Sequence, residues 1–290
     1  MKTADQHFPD NEPWDLVISH RVGWLQLNLR EVWRYRDLLM LLIKRDFITQ
    51  YKQTILGPLW YLIQPVLTTV MFLLLFNRVA RIPTDGVHPT VFYMAGLTFW
   101  TYFSVTLTTI STTFVTNASI FGKVYFPRLV MPLAVIVSNL VRFLIQFALL
   151  LAFMVWHHFH GFPMELRWTW LLIPLLLLAG GGLSLGLGIL VASLTTKYRD
   201  LSVLMTFAVQ LLLYATPIAY PYSYLAGKSL GDILVWNPLT PVVECFRYCL
   251  LGVGTFSAEG LLYSLLVSGL ILFLGLVVFN RVEKSFMDTV

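Results

Sequence analysis

Charge is scarce in this sequence. Only 12% of its residues are Asp, Glu, Lys or Arg, against 57% that are hydrophobic, and mean hydropathy is +0.73. Soluble domains carry about twice that charged share, ~25%. An ordinary water-soluble globule is therefore excluded. Cysteine is almost absent. Cys245 and Cys249 stand four residues apart, on one face of a helix, which suits two free thiols better than a disulfide. No G-x-x-x-x-G-K-[ST] phosphate loop occurs, so the chain has no such device for holding ATP. The Gly-rich run "GGGLSLGLG" is followed by no lysine, and its pairs Gly182/Gly186 and Ser184/Gly188 have the spacing of close helix packing. The net charge of +5 is not gathered into a basic stripe, which argues against a nucleic-acid partner. The opening "MKTADQHFPDNEPWD" is polar and acidic, unlike a cleaved signal peptide.

Long apolar runs fill the rest. Runs of about 18 or more apolar residues are long enough to cross a bilayer. Six are expected: 59–77, 91–115, 129–156, 168–194, 201–224 and 261–280, the fifth broken near its end by Pro217 and Pro221. With the N-terminus placed inside, the inner segments hold Lys44, Arg45, Lys52, Lys123, Arg128, Lys197, Arg199, Arg281 and Lys284. The outer segments hold Arg78, Arg81, Arg167, Lys228 and Arg247. This bias follows the positive-inside rule and puts both termini in the cytoplasm.

Two regions fit neither a span nor a simple loop. Over 30–51 a helical wheel gathers Val32, Tyr35, Leu39, Leu42 and Ile43 on one face, and Arg30, Arg34, Asp37, Lys44 and Arg45 on the other. That pattern predicts an amphipathic helix lying in the membrane interface, either as an anchor or as a moving part joined to the first span by Gly57-Pro58. Over 225–260, the apolar pieces 233–236 and 242–251 are too short to cross and are separated by Pro238 and Pro241. Re-entrant half-helices and an external cap both fit.

Chemistry-bearing residues are few. His157, His158 and His160 cluster in "WHHFHG" without a carboxylate or cysteine beside them, which reads as an interfacial group rather than a metal site. Arg142 lies deep in the third run. There it either serves function or is a structural arginine bonded to Asn139, Gln146 or a carbonyl. In the second run Phe92, Phe99 and Phe103 share a face beside Gly96, while Tyr93 and Trp100 share another. Such a stripe is helix packing or, for a sugar chain, a stacking surface. The loops 116–128 and 196–202 are docking points or plain connections.

Three stretches, in order, carry a resemblance: "RDFITQYKQTILGPLWYLIQPVLTTVMF", "FGKVYFPRLVMPLAVIVSNLVRFLIQF" and "WNPLTPVVECFRYCLLG". From about residue 38 onward the chain resembles ABC-2 type exporter permeases, specifically those for bacterial surface polysaccharides such as O-antigen and capsule. The resemblance implies an all-α integral membrane protein of the inner membrane with six transmembrane helices. It divides the chain into a cytoplasmic extension (1–29), an interfacial gate helix (30–52) and a transmembrane domain (53–290). It implies a homodimer bound to a cytosolic ATPase subunit, with ATP and Mg held by that partner and no cofactor in this chain. It implies gate residues Arg30, Arg34, Tyr35, Lys44 and Arg45, and a coupling helix within 116–123 where Phe121 and Lys123 meet the ATPase. It implies external re-entrant helices within 230–251, carrying Pro238, Pro241, Glu244 and Arg247. The channel is expected along Phe92, Phe99, Trp100, Tyr102, Phe103 and Arg142. The cargo is expected to be a lipid-linked glycan taken from the inner leaflet.

Two other readings share parts of this pattern. An ABC-2 permease for a drug has the same architecture but less use for an aromatic stripe. A membrane transferase acting on lipid-linked sugars needs intramembrane acids or bases, which the runs lack.

Overall fold

The structure is a computed structural model that describes residues 29–52, 54–121, 126–161, 167–195, 198 and 200–282; apart from Leu29, the expected extension 1–29 lies outside them. Among the described residues the fold is all-helical, without strands. Helix α1 (Leu29–Arg34) and α2 (Arg36–Tyr51) replace the single helix expected over 30–51, with a break at Tyr35. The expected apolar face is the buried one. Leu42 is enclosed with Phe126, Val130, Met131 and Ala134, and Val32, Tyr35, Leu39 and Ile43 pack around them. Trp33, Met40 and Leu41 remain exposed on the other side.

The Gly57-Pro58 corner is a single 3-10 turn, Gly57–Leu59. Gly57 has φ +50, a left-handed conformation that a residue with a Cβ adopts at a cost. Pro58 supplies a fixed φ at the turn's start, where a missing N–H is harmless. Helix α3 (Trp60–Phe72) follows and carries Pro65 inside it, then runs on as a π-helical segment over Leu73–Val79. Helix α4 (Pro89–Thr116) is the centre of the bundle, touching α3 and α6, α7, α8 and α11, which are defined below. After α5 (Ala118–Phe121) come α6 (Val130–Phe159), a 3-10 turn at Trp168–Leu172, and α7 (Ile173–Thr195).

Among the described residues, four helical stretches are long and apolar enough to cross a membrane: Gly57–Val79, Val130–Phe159, Trp168–Thr195 and Ala258–Arg281. They match four of the six expected runs. Helix α4 is long, but its threonines and serines lower its hydropathy, and it is sheathed by neighbours rather than exposed. The fifth expected run is shortened. Helix α8 covers Leu201–Tyr214 and then turns. At the helical rise of about 1.5 Å per residue it falls well short of the ~30 Å apolar thickness of a bilayer. The chain turns at Ala215 because outside groups take over the backbone acceptors: Asn237 Nδ2 donates to Ala215 O at 2.8 Å and Arg247 donates to Pro217 O and Ile218 O. Short helices α9 (Tyr222–Leu225) and α10 (Ser229–Val235) lead to α11 (Leu239–Leu251), with Asn237 Oδ1 accepting from Leu239 N at 3.0 Å where α11 begins. Helix α11 packs on α4, α7 and α12 (Ala258–Val282).

The Gly-rich run lets three helices meet. A Cβ at Gly186 would stand 2.6 Å from Leu272 N, and one at Gly275 would stand 2.7 Å from Gly186 O, so the backbones of α7 and α12 touch. Gly188 leaves room for the Ile110 side chain of α4. Ser184 is fully buried and donates to Gly181 O at 3.0 Å. The small residues are used for packing.

Candidate translocation site

Helix α4 has two unlike faces. Phe99 and Phe103 lie fully inside, Phe92 is 1% exposed, and Trp100 and Tyr102 are buried with them. Phe99 rests on Gly180 of α7 and lies 5.5 Å from the Phe246 ring of α11. Tyr102 meets Gly181 and donates to Leu177 O at 3.5 Å. The Phe92 ring lies under the Arg247 guanidinium. The expected stacking surface thus offers no open ring face in this arrangement: the apolar face is consumed by contacts within the same chain.

Another face of α4 carries a run of threonines and borders two cavities. Thr98, Thr101, Thr109, Thr113 and Thr116 follow one another at helical spacing. On α6, Ser138, Asn139, Arg142 and Gln146 do the same. A cavity of about 350 Å³ lies between these faces and α2; Arg45, Thr109, Thr113, Asn117, Ser138 and Arg142 are among its lining residues. A second, of about 40 Å³, is lined by Gln64, Pro65, Thr68 and Thr69 of α3, Met94, Leu97, Thr98 and Thr101 of α4, and Gln146 of α6. Arg142, in the first cavity, is one turn of α6 from Gln146 in the second. Its Nε donates to the Tyr61 hydroxyl at 3.1 Å, and its guanidinium carbon lies 5.6 Å from the Tyr61 ring centre. Arg142 therefore faces a cavity and a hydroxyl partner, as a deep arginine requires. The tyrosine partner was not legible in the sequence, because Tyr61 and Arg142 are far apart along the chain.

At the mouth of the larger cavity Arg45 donates to Asp46 at 2.8 Å and reaches Asn117 Oδ1 at 3.5 Å. This ties α2 to the end of α4. Arg34 and Lys44 are exposed, Tyr35 packs on the start of α6, and the side chain of Arg30 lies outside the described residues. Phe121 ends the short helix α5, inside the stretch expected to form a coupling helix. Its ring is half-buried, 5.4 Å from Phe126 and 5.8 Å from Phe114, with the Arg128 guanidinium 5.9 Å away. It is not a protruding knob. Lys123 lies outside the described residues.

At the opposite end, Glu244 and Arg247 were expected in an outer segment; the structure buries both completely within the helices. Glu244 Oε1 accepts from Arg247 at 3.3 Å and from Tyr222 N at 3.3 Å, and its Oε2 accepts from Thr255 N at 3.1 Å. Desolvating this arginine is tolerable because a carboxylate and two carbonyls face it. Pro238 begins the turn into α11, and Pro241 packs against Gly260. The two cysteines are free, buried, and 4.0 Å apart at sulfur. His157 Nδ1 is 2.8 Å from Phe153 O and its ring lies 4.2 Å from that of His88. No group of three or more potential metal-ligating side chains occurs among the described residues.

Sequence comparison finds relatives along most of the chain. Two proteins of Klebsiella pneumoniae, each named O-antigen export system permease protein RfbA, are 28% and 29% identical to this chain, covering 87% of it and 94% of their own length. A Myxococcus xanthus protein of the same name is 26% identical over 90% of this chain and 98% of its own. Residues 37–251, spanning α2 to α11, match the ABC-2 type transporter family. A chain that is all-helical among its described residues, with four stretches there long and apolar enough to cross a membrane and this match over most of its length, belongs to the ABC-2 type transporter family.

Proposed function

We propose that this chain is the permease subunit of an ATP-driven exporter that moves a lipid-linked polysaccharide, of the O-antigen or capsule kind, across the bacterial inner membrane. The observation that carries the reading is similarity to three O-antigen export permeases along nearly their whole length. The cavity beside α2, α4 and α6, whose lining includes Arg45, Thr109, Thr113, Asn117, Ser138 and Arg142, supports it, since a hydrophilic cargo needs polar groups along its path.

In this reading the chain forms a homodimer and each copy docks a cytosolic ATPase that holds ATP and Mg. Helices α4 and α8, the latter completed by residues up to 224, join the four long apolar helices to make six spans, with both termini cytoplasmic. Helix α2 is the gate at the cytoplasmic surface, and α5 with Lys123 is the coupling element. Helices α10 and α11 are re-entrant from the outer side. Nucleotide-driven closure of the ATPases pulls on α5, shifts α2 and opens the path between subunits. The membrane chain supplies walls and docking points, and no bond is made or broken on it.

Deleting the gene and measuring glycan at the cell surface and within the cell tests this. The expected result is loss of surface glycan with accumulation inside, restored by the intact gene. Unchanged surface glycan overturns the reading, and increased drug sensitivity in its place points to a small-molecule exporter.

A further inference from the structure

The stretch Gly57–Val79 is the least enclosed of the four that can cross a membrane. Only 11% of its apolar window is buried, against 39%, 61% and 22% for Val130–Phe159, Trp168–Thr195 and Ala258–Arg281. It is also irregular. Pro65 inside α3 lacks the N–H that would bond Tyr61 O, so one turn is loosened. From Leu73 to Val79 the helix is π-helical. Ala80 N reaches back to Leu75 O at 2.9 Å, and Ile82 N reaches back further, to Phe76 O, also at 2.9 Å. An α-helix bonds each N–H to the carbonyl four residues earlier. The wide turns here therefore hold a residue more than α turns need.

A second departure lies inside the same closure. Arg81 has φ +51, a left-handed conformation that disfavours any residue with a Cβ. Asp85 and Gly86 also have positive φ, but they form an Asp-Gly turn closed by Val87 N on Thr84 O at 3.0 Å, where such angles are usual. The disfavoured backbone is thus confined to the end of the span, over 73–82. Winding the wide turns down to α geometry would break the bond from Ile82 N to Phe76 O and free Arg81. That release offsets part of the cost of the change.

Packing on α4 holds the present register. Phe72, Leu73 and Phe76 rest against the core, and the Phe72 ring lies 5.1 Å from that of Phe76 and 6.2 Å from that of Tyr93 on α4. The hold is incomplete. The hydroxyl of Tyr93 is fully buried, and that of Thr69, one turn before the π segment, belongs to a residue only 3% exposed; neither has a hydrogen-bond partner among the described residues. Buried hydroxyls normally have one. A helix contact with two unsatisfied hydroxyls is not at its best fit in this register.

We propose that residues 73–82 are a register joint. The wide turns wind down to α geometry, the same residues make a tighter and longer helix, and α3 turns against α4 by about one residue of helix, ~100°. Single stretches of π-helix commonly mark functional positions. The use of this step in transport rests on the exporter reading above.

The test removes the surplus residue. Leu74 and Leu67 are both exposed, so deleting either costs little packing of its own side chain. Deletion of Leu74 leaves a span that winds as α throughout, with both flanks facing as before. Deletion of Leu67, in the α-helical part, turns one flank by about 100° away from its contacts. Unfolding of the detergent-solubilised protein is measured first, with no cargo needed. The Leu74 deletion is expected to melt at or above the parent's temperature, and the Leu67 deletion clearly below it. Surface glycan is measured next, at matched membrane levels. The Leu74 deletion is expected to export little more than cells lacking the gene, whereas Leu74→Ala, which keeps the residue, exports as the parent does. A Leu74 deletion that fails to insert, or melts as low as the Leu67 deletion, overturns the joint, because no residue was surplus. A stable Leu74 deletion with full surface glycan overturns it too, as does a loss in Leu74→Ala equal to that of the deletion. The exporter reading fails separately, if cells lacking the gene keep their surface glycan.

Discussion

The guanidinium carbon of Arg247 lies 3.9 Å from the centre of the Phe92 ring, and neither side chain reaches solvent. Gly96, one turn further along α4, makes the room: a Cβ there would stand 2.5 Å from an Arg247 nitrogen. The arginine thus bolts α4 to α11 and to the turn after α8 in one place. Replacing Arg247 with Met leaves Glu244 buried without its cation, and replacing Glu244 with Gln removes the charge that Arg247 faces. Each single change should cost about 3–5 kcal/mol, the range for breaking a buried pair. The double change should cost less than the sum. Unfolding of the detergent-solubilised protein checks this; equal stability of Arg247→Met and the parent would refute the bolt.

Gly186 and Gly269 make a matched pair of helical glycines. A methyl at Gly186 meets the α12 backbone, whereas nothing lies within 4 Å of one at Gly269. Gly186→Ala should destabilise by about 1–3 kcal/mol through overpacking. Gly269→Ala should be neutral or gain up to ~1 kcal/mol from helix propensity. The same unfolding measurement decides, and a harmless Gly186→Ala would mean that α7 and α12 separate freely.

His88 precedes α4, where burial first and His157 second hold its pKa below the ordinary 6.5. The unfolded chain then takes up a proton that the folded one resists. Stability contributed by His88 is complete above pH 6.5, declines as pH falls through that value, and levels off below the depressed folded value. Melting temperatures should drop on acidification through this window, and His88→Phe should flatten the drop. An unchanged acid response in His88→Phe would assign the effect to another group.

Arg142 and Tyr61 form a contact that one substitution can weaken and another can remove. Tyr61→Phe keeps the ring and deletes the hydroxyl that accepts from Arg142 Nε. Arg142→Leu should leave membrane insertion intact, since removing a deep charge eases partitioning. Export should fall in both, more in Arg142→Leu. Normal surface glycan with Arg142→Leu would reduce the arginine to a structural role.

The chain lacks a phosphate-cradling loop. Purified free of any companion ATPase, it should show no ATP hydrolysis above an empty-membrane control. Activity that co-purifies with this chain alone would contradict the division of labour proposed above.

Composition and periodicity determined much here. Scarce charge and long apolar runs dictated a helical membrane protein, because a backbone in lipid must satisfy itself. The wheel of Val32, Tyr35, Leu39, Leu42 and Ile43 picked out one apolar face of α1 and α2, expected in the membrane interface, and the structure packs that face on Phe126, Val130, Met131 and Ala134. Gly57-Pro58 foretold a corner, and the glycines of α7 foretold close packing, both for local steric reasons. What local pattern left open was which face of a two-faced helix meets its neighbours. On α4 the phenylalanines and the threonines are equally periodic, and only the arrival of α7 and α11 on one side assigned the rings to the core and left the hydroxyls facing the cavities. The length of α8 was likewise settled from outside, by Asn237 and Arg247, far along the chain, taking the carbonyls of the residues just past its end. Partners that distant leave no mark on local hydropathy, so Tyr61 beside Arg142, and the Pro217 and Ile218 carbonyls facing Arg247, were decided by tertiary structure alone.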